Sequence, residues 1–261
     1  MKFDKEHWKE LDINVDSLWI IGPRAKGGKH ENNYHGNFVP QIPNQMIRRF
    51  TEENDVVLDM FMGSGTTLFE CETLKRDFIG FDINQNIIDY VLSKMEDCKD
   101  ITYFIHNCDI SNHTEAKNEV KKDLNALKKR KVDLIISHPP YMDVVKFTDD
   151  INDLSNIHDV KIFIHKYIEA LRPVWDYLRN RKYLVLVIGD VWKDGEVKPL
   201  GFLLMYAIKK AFKCKLKGIL IKDMLGNRAK IGKEGLWKYR ALKSDNFLFK
   251  HEYIFVFKKE G

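Results

Sequence analysis

"DVVLDMFMGSGTT", residues 55–67, sets a short apolar run against a turn with two glycines and a pair of threonines. The β-branched run reads as a buried strand, and residues 68–74 behind the turn read as a helix. The same alternation then repeats along the chain. "FIGFDI" (78–83) reads as a strand, 87–95 as a helix, "ITYFIHNCD" (101–109) as a strand, the charged stretch 115–129 as an exposed helix, and "VDLIIS" (132–137) as a fourth strand. A longer helix with Ile162, Ile168, Leu171, Val174 and Leu178 on one side follows, and then the apolar "YLVLVIGDV" (183–191). Strands that alternate with helices of this length predict a parallel sheet covered on both faces.

The two ends depart from that rhythm. "LKGILIKDM" (216–224) and "HEYIFVFKK" (251–259) are strand-like runs joined only by a basic loop over about residues 226–250, so they are expected to pair antiparallel. The predicted fold class is therefore α/β, a mostly parallel seven-stranded sheet with an antiparallel last strand. Upstream, "GPRAKGGKHENNYHGN" (22–37) reads as an extended or mobile segment. Met46, Ile47 and Phe50 follow at helical spacing behind Pro43 and Asn44. Neither an interdomain linker nor an internal repeat is visible.

Composition narrows the class. The 261 residues are 44% hydrophobic and 31% charged, which is ordinary for a folded globular protein and excludes a disordered or collagen-like chain. No run of 18 apolar residues occurs, and "MKFDKEHWKELDIN" is charged where a signal peptide needs an apolar stretch, so a cytoplasmic location and no membrane partner are expected. The four cysteines are scattered without a CxxC pair, which suggests neither a zinc site nor a disulfide framework. The net charge of +5 is unevenly spread: 13 Lys or Arg face 3 Asp or Glu between Lys209 and Lys250. That is either a nucleic-acid footprint or a solvated Lys-rich face.

The glycine turn is the first chemical signal. Gly63 and Gly65 can take positive φ and admit a ligand close to the backbone, while the following helix offers free N–H groups and a positive dipole end. No Lys follows as in a Walker loop, and the spacing is not GxGxxG. Asp82 at the end of the second strand is placed to grip a ribose diol. Asp109 ends the third strand, where it could read an adenine ring, with a helix cap as the plainer alternative for each carboxylate. Three features at successive strand ends point to an adenosine-containing cofactor. The fourth strand ends in "SHPPY" (137–141), a rigid turn beside that crevice.

With that turn the sequence resembles the amino-group DNA methyltransferases, the N6-adenine and N4-cytosine DNA methylases. Their glycine motif looks like "DMFMGSGTT" (59–67), their catalytic motif is Asp, Asn or Ser followed by Pro-Pro and an aromatic residue, and "HGNFVPQIP" (35–43) is similar to the segment that completes their cofactor pocket. The resemblance spans roughly residues 30–257. It implies a Rossmann-like methyltransferase fold in a single domain over residues 1–261, with residues 1–42 completing the pocket.

The implied cofactor is S-adenosyl-L-methionine, held by Phe38, Val39, Pro40, Asp59, Phe61, Gly63, Ser64, Gly65, Thr66, Thr67, Asp82 and Asp109. The implied catalytic residues are His138, Pro139, Pro140 and Tyr141: His138 and the Pro139 carbonyl accept the amino hydrogens, and Tyr141 stacks on a base flipped out of double-stranded DNA. Residues 223–250 are the candidate DNA-recognition loop, with Arg228, Lys230, Lys233, Trp237, Lys238, Tyr239 and Arg240 as contacts. A cognate restriction endonuclease is an implied partner; the target base and oligomeric state stay open. His138 departs from the family pattern, because imidazole accepts only through an unprotonated nitrogen. Activity is therefore expected to fall as His138 charges below about pH 6.5. An RNA or protein methyltransferase and a catalytically silent nucleic-acid-binding module are the alternative readings.

Overall fold

Successive side chains of a strand point to opposite faces, so the strands themselves define the two helical layers of this sheet. The computed structural model describes residues 6–31, 36–224 and 234–261. Val56, Leu58, Ile79, Phe81, Ile135, Leu184, Leu186, Phe255 and Phe257 face one core, while Val57, Phe78, Leu134, Ile136, Val185, Val187, Ile254 and Val256 face the other.

The chain opens with β1 (Leu18–Trp19) and α1 (Gln41–Phe50), then alternates β2 (Val56–Asp59), α2 (Thr66–Leu74), β3 (Asp77–Asp82), α3 (Gln85–Lys94), β4 (Tyr103–Asn107), α4 (His113–Ala126), β5 (Val132–Ser137), α5 (Val160–Trp175) and β6 (Leu178–Ile188). A hairpin, β7 (Val191–Lys193) and β8 (Glu196–Lys198), precedes α6 (Leu200–Ala211), β9 (Cys214–Asp223), α7 (Glu234–Lys243) and β10 (His251–Lys259). The first three helices cover the second core, and α4, α5 and α6 cover the first. Every residue of β2 and β5 is buried, as central parallel strands covered on both faces must be.

The sheet order is β1-β9-β10-β6-β5-β2-β3-β4. β2 through β6 pair parallel, and β10 pairs antiparallel with both β6 and β9. Several details differ from the sequence reading. The antiparallel strand is inserted between two others, and β1 alongside β9 adds an eighth strand to the sheet. Residues 234–243 of the expected basic loop are the helix α7. In α5 the buried face is Phe163, Tyr167, Ile168, Leu171 and Val174, whereas Ile162 is exposed and Leu178 already belongs to β6. No helix among the described residues is long and apolar enough to cross a membrane.

Gly80 in the middle of β3 gives one packing constraint that is directly testable. A Cβ there would lie 2.5 Å from Cε1 of Phe78 and 3.1 Å from the sulfur of Met62, and Phe78 is fully buried. Gly80→Ala is expected to destabilise the protein by about 1–3 kcal/mol in urea unfolding, the cost of overpacking a rigid core. An unchanged unfolding midpoint would mean the Phe78 ring has room to move.

Candidate active site

The glycine turn is pinned at the ends of three adjacent strands. Met60 N–H donates to the Ile136 carbonyl at 3.1 Å and Met62 N–H to the Phe81 carbonyl at 2.9 Å, which ties the exit of β2 to β5 and β3. Gly63 and Gly65 take φ of 53° and 80°, as the turn requires. The Gly63 N–H donates to Asp82 Oδ2 at 2.8 Å, so that donor is already engaged. The other Asp82 oxygen accepts the Asn84 N–H at 2.8 Å. Burial raises the Asp82 carboxyl to about 6 against the pull of those two N–H groups.

A cavity of about 620 Å³ opens over these strand ends, a size suited to a nucleoside-sized ligand. Phe38, Val39, Phe61, Gly63, Ser64, Thr66, Asp82 and Asp109 line it, together with His138, Pro139, Pro140 and Tyr141. The structure does not bring four other expected cofactor residues to its wall. Asp59 is fully buried beneath the turn, where Oδ1 accepts the Phe61 N–H at 3.0 Å and Oδ2 the Thr67 hydroxyl at 2.5 Å. Burial raises its carboxyl to about 6, and it shapes the turn from below together with Thr67. Gly65 caps α2 in the left-handed conformation, packed so that a Cβ would meet Phe69 at 3.0 Å. Pro40 begins α1, its carbonyl accepting the Asn44 N–H. Asp109 lies one turn ahead of the helix cap Asn112 and accepts from the Ser111 backbone and hydroxyl.

Sequence reading missed several residues of the cavity wall. Gly22, Pro23 and Arg24 of the N-terminal segment line it, and so do Lys222, Asp223 and Glu252 at the ends of β9 and β10. The N-terminal segment is held in place: Ile21 N–H donates to Asp223 Oδ1 at 2.9 Å, and the Arg24 guanidinium to the Phe38 carbonyl at 2.8 Å. Asp190, which follows β6, accepts the Gly201 N–H near the start of α6.

The turn after β5 carries the most unusual chemistry. Phe38 lies 4.8 Å from the His138 ring by centroid, and His138 Nε2 is 3.1 Å from the Tyr141 hydroxyl. That hydroxyl donates to Glu252 Oε2 at 2.9 Å. Gly189 makes room for the Tyr141 ring, since a Cβ there would lie 2.9 Å from Cε2. Burial lowers the His138 imidazole to about 4, with Glu252 raising it and Lys222 lowering it. The expected charging near pH 6.5 is thus displaced downward, because the partly buried ring is poorly solvated as a cation.

Two excursions leave the sheet beside the cavity, whose wall takes Val144, Val145, Phe147, Asn152, Asp153 and Leu154 from the first and Met224 from the second. Residues 142–158 fold around Asp153, which accepts from Thr148 and from the Ser155 N–H, while Asp143 holds both Lys193 of β7 and His158. The second excursion leaves β9 and returns to β10, closed by the Met224 N–H donating to the Lys250 carbonyl at 2.8 Å. Of the expected DNA contacts, Arg228, Lys230 and Lys233 lie outside the described residues. Trp237, Lys238, Tyr239 and Arg240 sit on α7, with the Arg240 guanidinium 5.3 Å over the Trp237 ring and Tyr239 exposed.

Residues 1–93 match a family model described as DNA methylase. The chain is similar to the Type II methyltransferase M.BglI of Bacillus subtilis, 29% identical over 114 residues that are 41% of this chain and 31% of that protein. It is also similar to the Type II methyltransferase M.HpaI of Haemophilus parainfluenzae, 42% identical over 83 residues, 32% of this chain and 26% of that protein. The chain spans less than a third of the length of these curated relatives. In fold it is similar to TrmN from Thermus thermophilus, with a TM-score of 0.52 and 16% identity, covering 86% of this chain and 50% of that one.

The buried titrating groups give opposite stability slopes. His138 binds its proton first in the unfolded chain, so its contribution falls as pH drops from about 6.5 to about 4 and is constant below that. Asp59 and Asp82 bind theirs first in the folded chain, so they add stability as pH falls from about 6 toward 3.8. His138→Asn removes only the first effect. Its unfolding free energy relative to the wild-type protein is expected to rise by up to about 3 kcal/mol between pH 7 and pH 4. A pH-independent difference in urea unfolding would show that His138 is not buried as a neutral ring.

Proposed function

We propose, from the match of residues 1–93 to a DNA methylase family model, that the protein is an S-adenosylmethionine-dependent DNA methyltransferase of the N6-adenine and N4-cytosine kind. It would act on an exocyclic amino group of a base turned out of the duplex. The observation that carries this reading is the single cavity onto which the glycine turn, Asp82 and the His138-Pro139-Pro140-Tyr141 turn all open. The catalytic turn lies beyond the matched residues, so its assignment rests on that geometry.

The residues present fit the cofactor. The turn at Gly63 brings backbone to the cavity wall, and the Asp82 carboxylate beside it retains lone pairs for ribose hydroxyls. Ser64 and Thr66 line the same wall at the start of α2. When bound, S-adenosylmethionine supplies an electrophilic methyl group on a sulfonium. His138 and the Pro139 carbonyl accept the amino hydrogens of the target base, which keeps its nitrogen lone pair from delocalising into the ring. Tyr141, held at its hydroxyl, gives the base a fixed aromatic surface. Fixing the acceptors before the base arrives is the main source of rate.

Residues 1–42 complete the pocket in this single-domain reading, and the excursion over residues 223–250 contacts the duplex through α7 and the basic residues around it. The Type II names of the relatives support extending the proposal to a sequence-specific enzyme that works alongside a cognate restriction endonuclease, and we place it in the cytoplasm. Adenine and cytosine remain equal candidates for the target base.

Incubation with labelled S-adenosylmethionine and unmethylated duplex DNA, followed by nucleoside mass spectrometry, is expected to yield N6-methyladenine or N4-methylcytosine. Cofactor binding with neither product would sink the proposal. The two titrations also separate in kinetics. Protonation of Asp82 near pH 6 is expected to raise KM for the cofactor, while kcat holds until His138 charges near pH 4. A kcat limb centred at 6.5 would contradict the buried neutral imidazole.

A further inference from the structure

The last two strands place an ion pair where an apolar pair would pack. Lys222 of β9 and Glu252 of β10 are directly paired in register, both side chains are less than a tenth exposed, and Nζ lies 3.1 Å from Oε1. A buried ion pair of this kind contributes little to stability once both charges have been taken out of water. Its position suggests another use, because both residues line the cavity and the second Glu252 oxygen accepts the Tyr141 hydroxyl.

We propose that Glu252, held by Lys222, fixes the tautomer of His138 through the Tyr141 hydroxyl and is thereby a positioning residue of the methyl-transfer site. The proposal rests on the functional reading above and extends it to two residues that the catalytic turn does not contain. A carboxylate only accepts hydrogen bonds, so the one phenolic hydrogen of Tyr141 goes to Glu252. The phenolic oxygen is then left as an acceptor. His138 Nε2, 3.1 Å away, must be the N–H donor to it. A neutral imidazole protonated at Nε2 has its lone pair on Nδ1. The Tyr141 contact is the hydrogen bond of the His138 ring among the described residues, which leaves Nδ1 for a ligand in the cavity that His138 lines.

This arrangement answers the difficulty of a histidine at an acceptor position. Oxygen acceptors need no such device, whereas an imidazole presents a donor or an acceptor according to its tautomer. Phe38 packs on the ring from the N-terminal segment and limits its rotation, so choosing the tautomer chooses which nitrogen accepts. Lys222 in turn occupies the Glu252 oxygen that Tyr141 does not use.

The test is the tautomer itself, read by long-range ¹⁵N–¹H correlation on protein labelled at histidine, at pH 7 and without DNA. The His138 signals are assigned by their loss in His138→Asn. Wild-type protein is expected to show the Nε2–H form, and Glu252→Gln to retain it because the amide oxygen still accepts the phenol. Tyr141→Phe, which keeps the ring, is expected to lose the preference. Glu252→Leu alone would strand the Lys222 ammonium, so the paired variant Lys222→Met/Glu252→Leu removes both charges together. It is expected to lose the tautomer preference and at least tenfold in kcat, with KM for S-adenosylmethionine within twofold. An Nδ1–H form in the wild-type protein, or an unchanged tautomer in the paired variant, would overturn the proposal. Failure of DNA methylation alongside the Nε2–H form would instead overturn the functional reading, since the tautomer is measured on the protein alone.

Discussion

The Gly63 N–H bond to Asp82 is the constraint from which the rest of the site follows. It joins the turn after β2 to the end of β3, and the Met60 bond to Ile136 joins the same turn to β5. Three parallel strands therefore finish at one level, and the loops that leave them must share one crevice. The cost is electrostatic. Asp59 and Asp82 are two carboxylates held out of water near each other, and burial raises both. A turn tied down by charged acceptors keeps its shape when a ligand is absent, which is what an organised binding surface requires.

What the sequence disclosed tracks how local each signal is. The run from β2 to β6 was legible because each strand holds a contiguous apolar run closed by polar or turn-forming residues, and each partner helix has its own period. The glycine turn, Asp82 and the Pro-Pro-Tyr turn were legible for the same reason: each motif is contiguous. α7 was not, because its described residues are mostly exposed and present no apolar face. α6 was hidden by the opposite fault, being apolar on nearly every side, with Phe202 and Tyr206 left exposed. The hairpin β7–β8 did carry a signal. Asp194 and Gly195 both take positive φ between the paired Lys193 and Glu196, the Asp-Gly turn that a short hairpin prefers.

Residues such as Asp59 and Thr67 show a different limit. A motif tells which residues belong together without telling which side of the backbone each one serves. Here the alternation that buries Leu58 also sends Asp59 under the turn, while Gly63 and Ser64 pass over it to the cavity. Lys222 and Glu252 were invisible for a longer-range reason. Each is one charged residue near the end of an apolar strand, and their pairing exists only once β9 and β10 are in register across a 28-residue excursion, counted as residues 223–250.

The inserted strand β10 explains why those two residues reach the site at all. Parallel strands bring their carboxyl ends to the crevice, so an ordinary sixth or seventh parallel strand would offer only its last residues there. β10 runs the other way between β6 and β9, which brings its first residues to the same edge. Glu252 stands at that start, level with Lys222 at the finish of β9 and within reach of Tyr141. The excursion that joins β9 to β10 must then leave and return at the mouth of the cavity. One reversal of strand direction thus delivers a buried acid to the turn after β5 and makes the excursion between β9 and β10 start beside the cavity at Met224, and neither could be moved to another strand without losing the other.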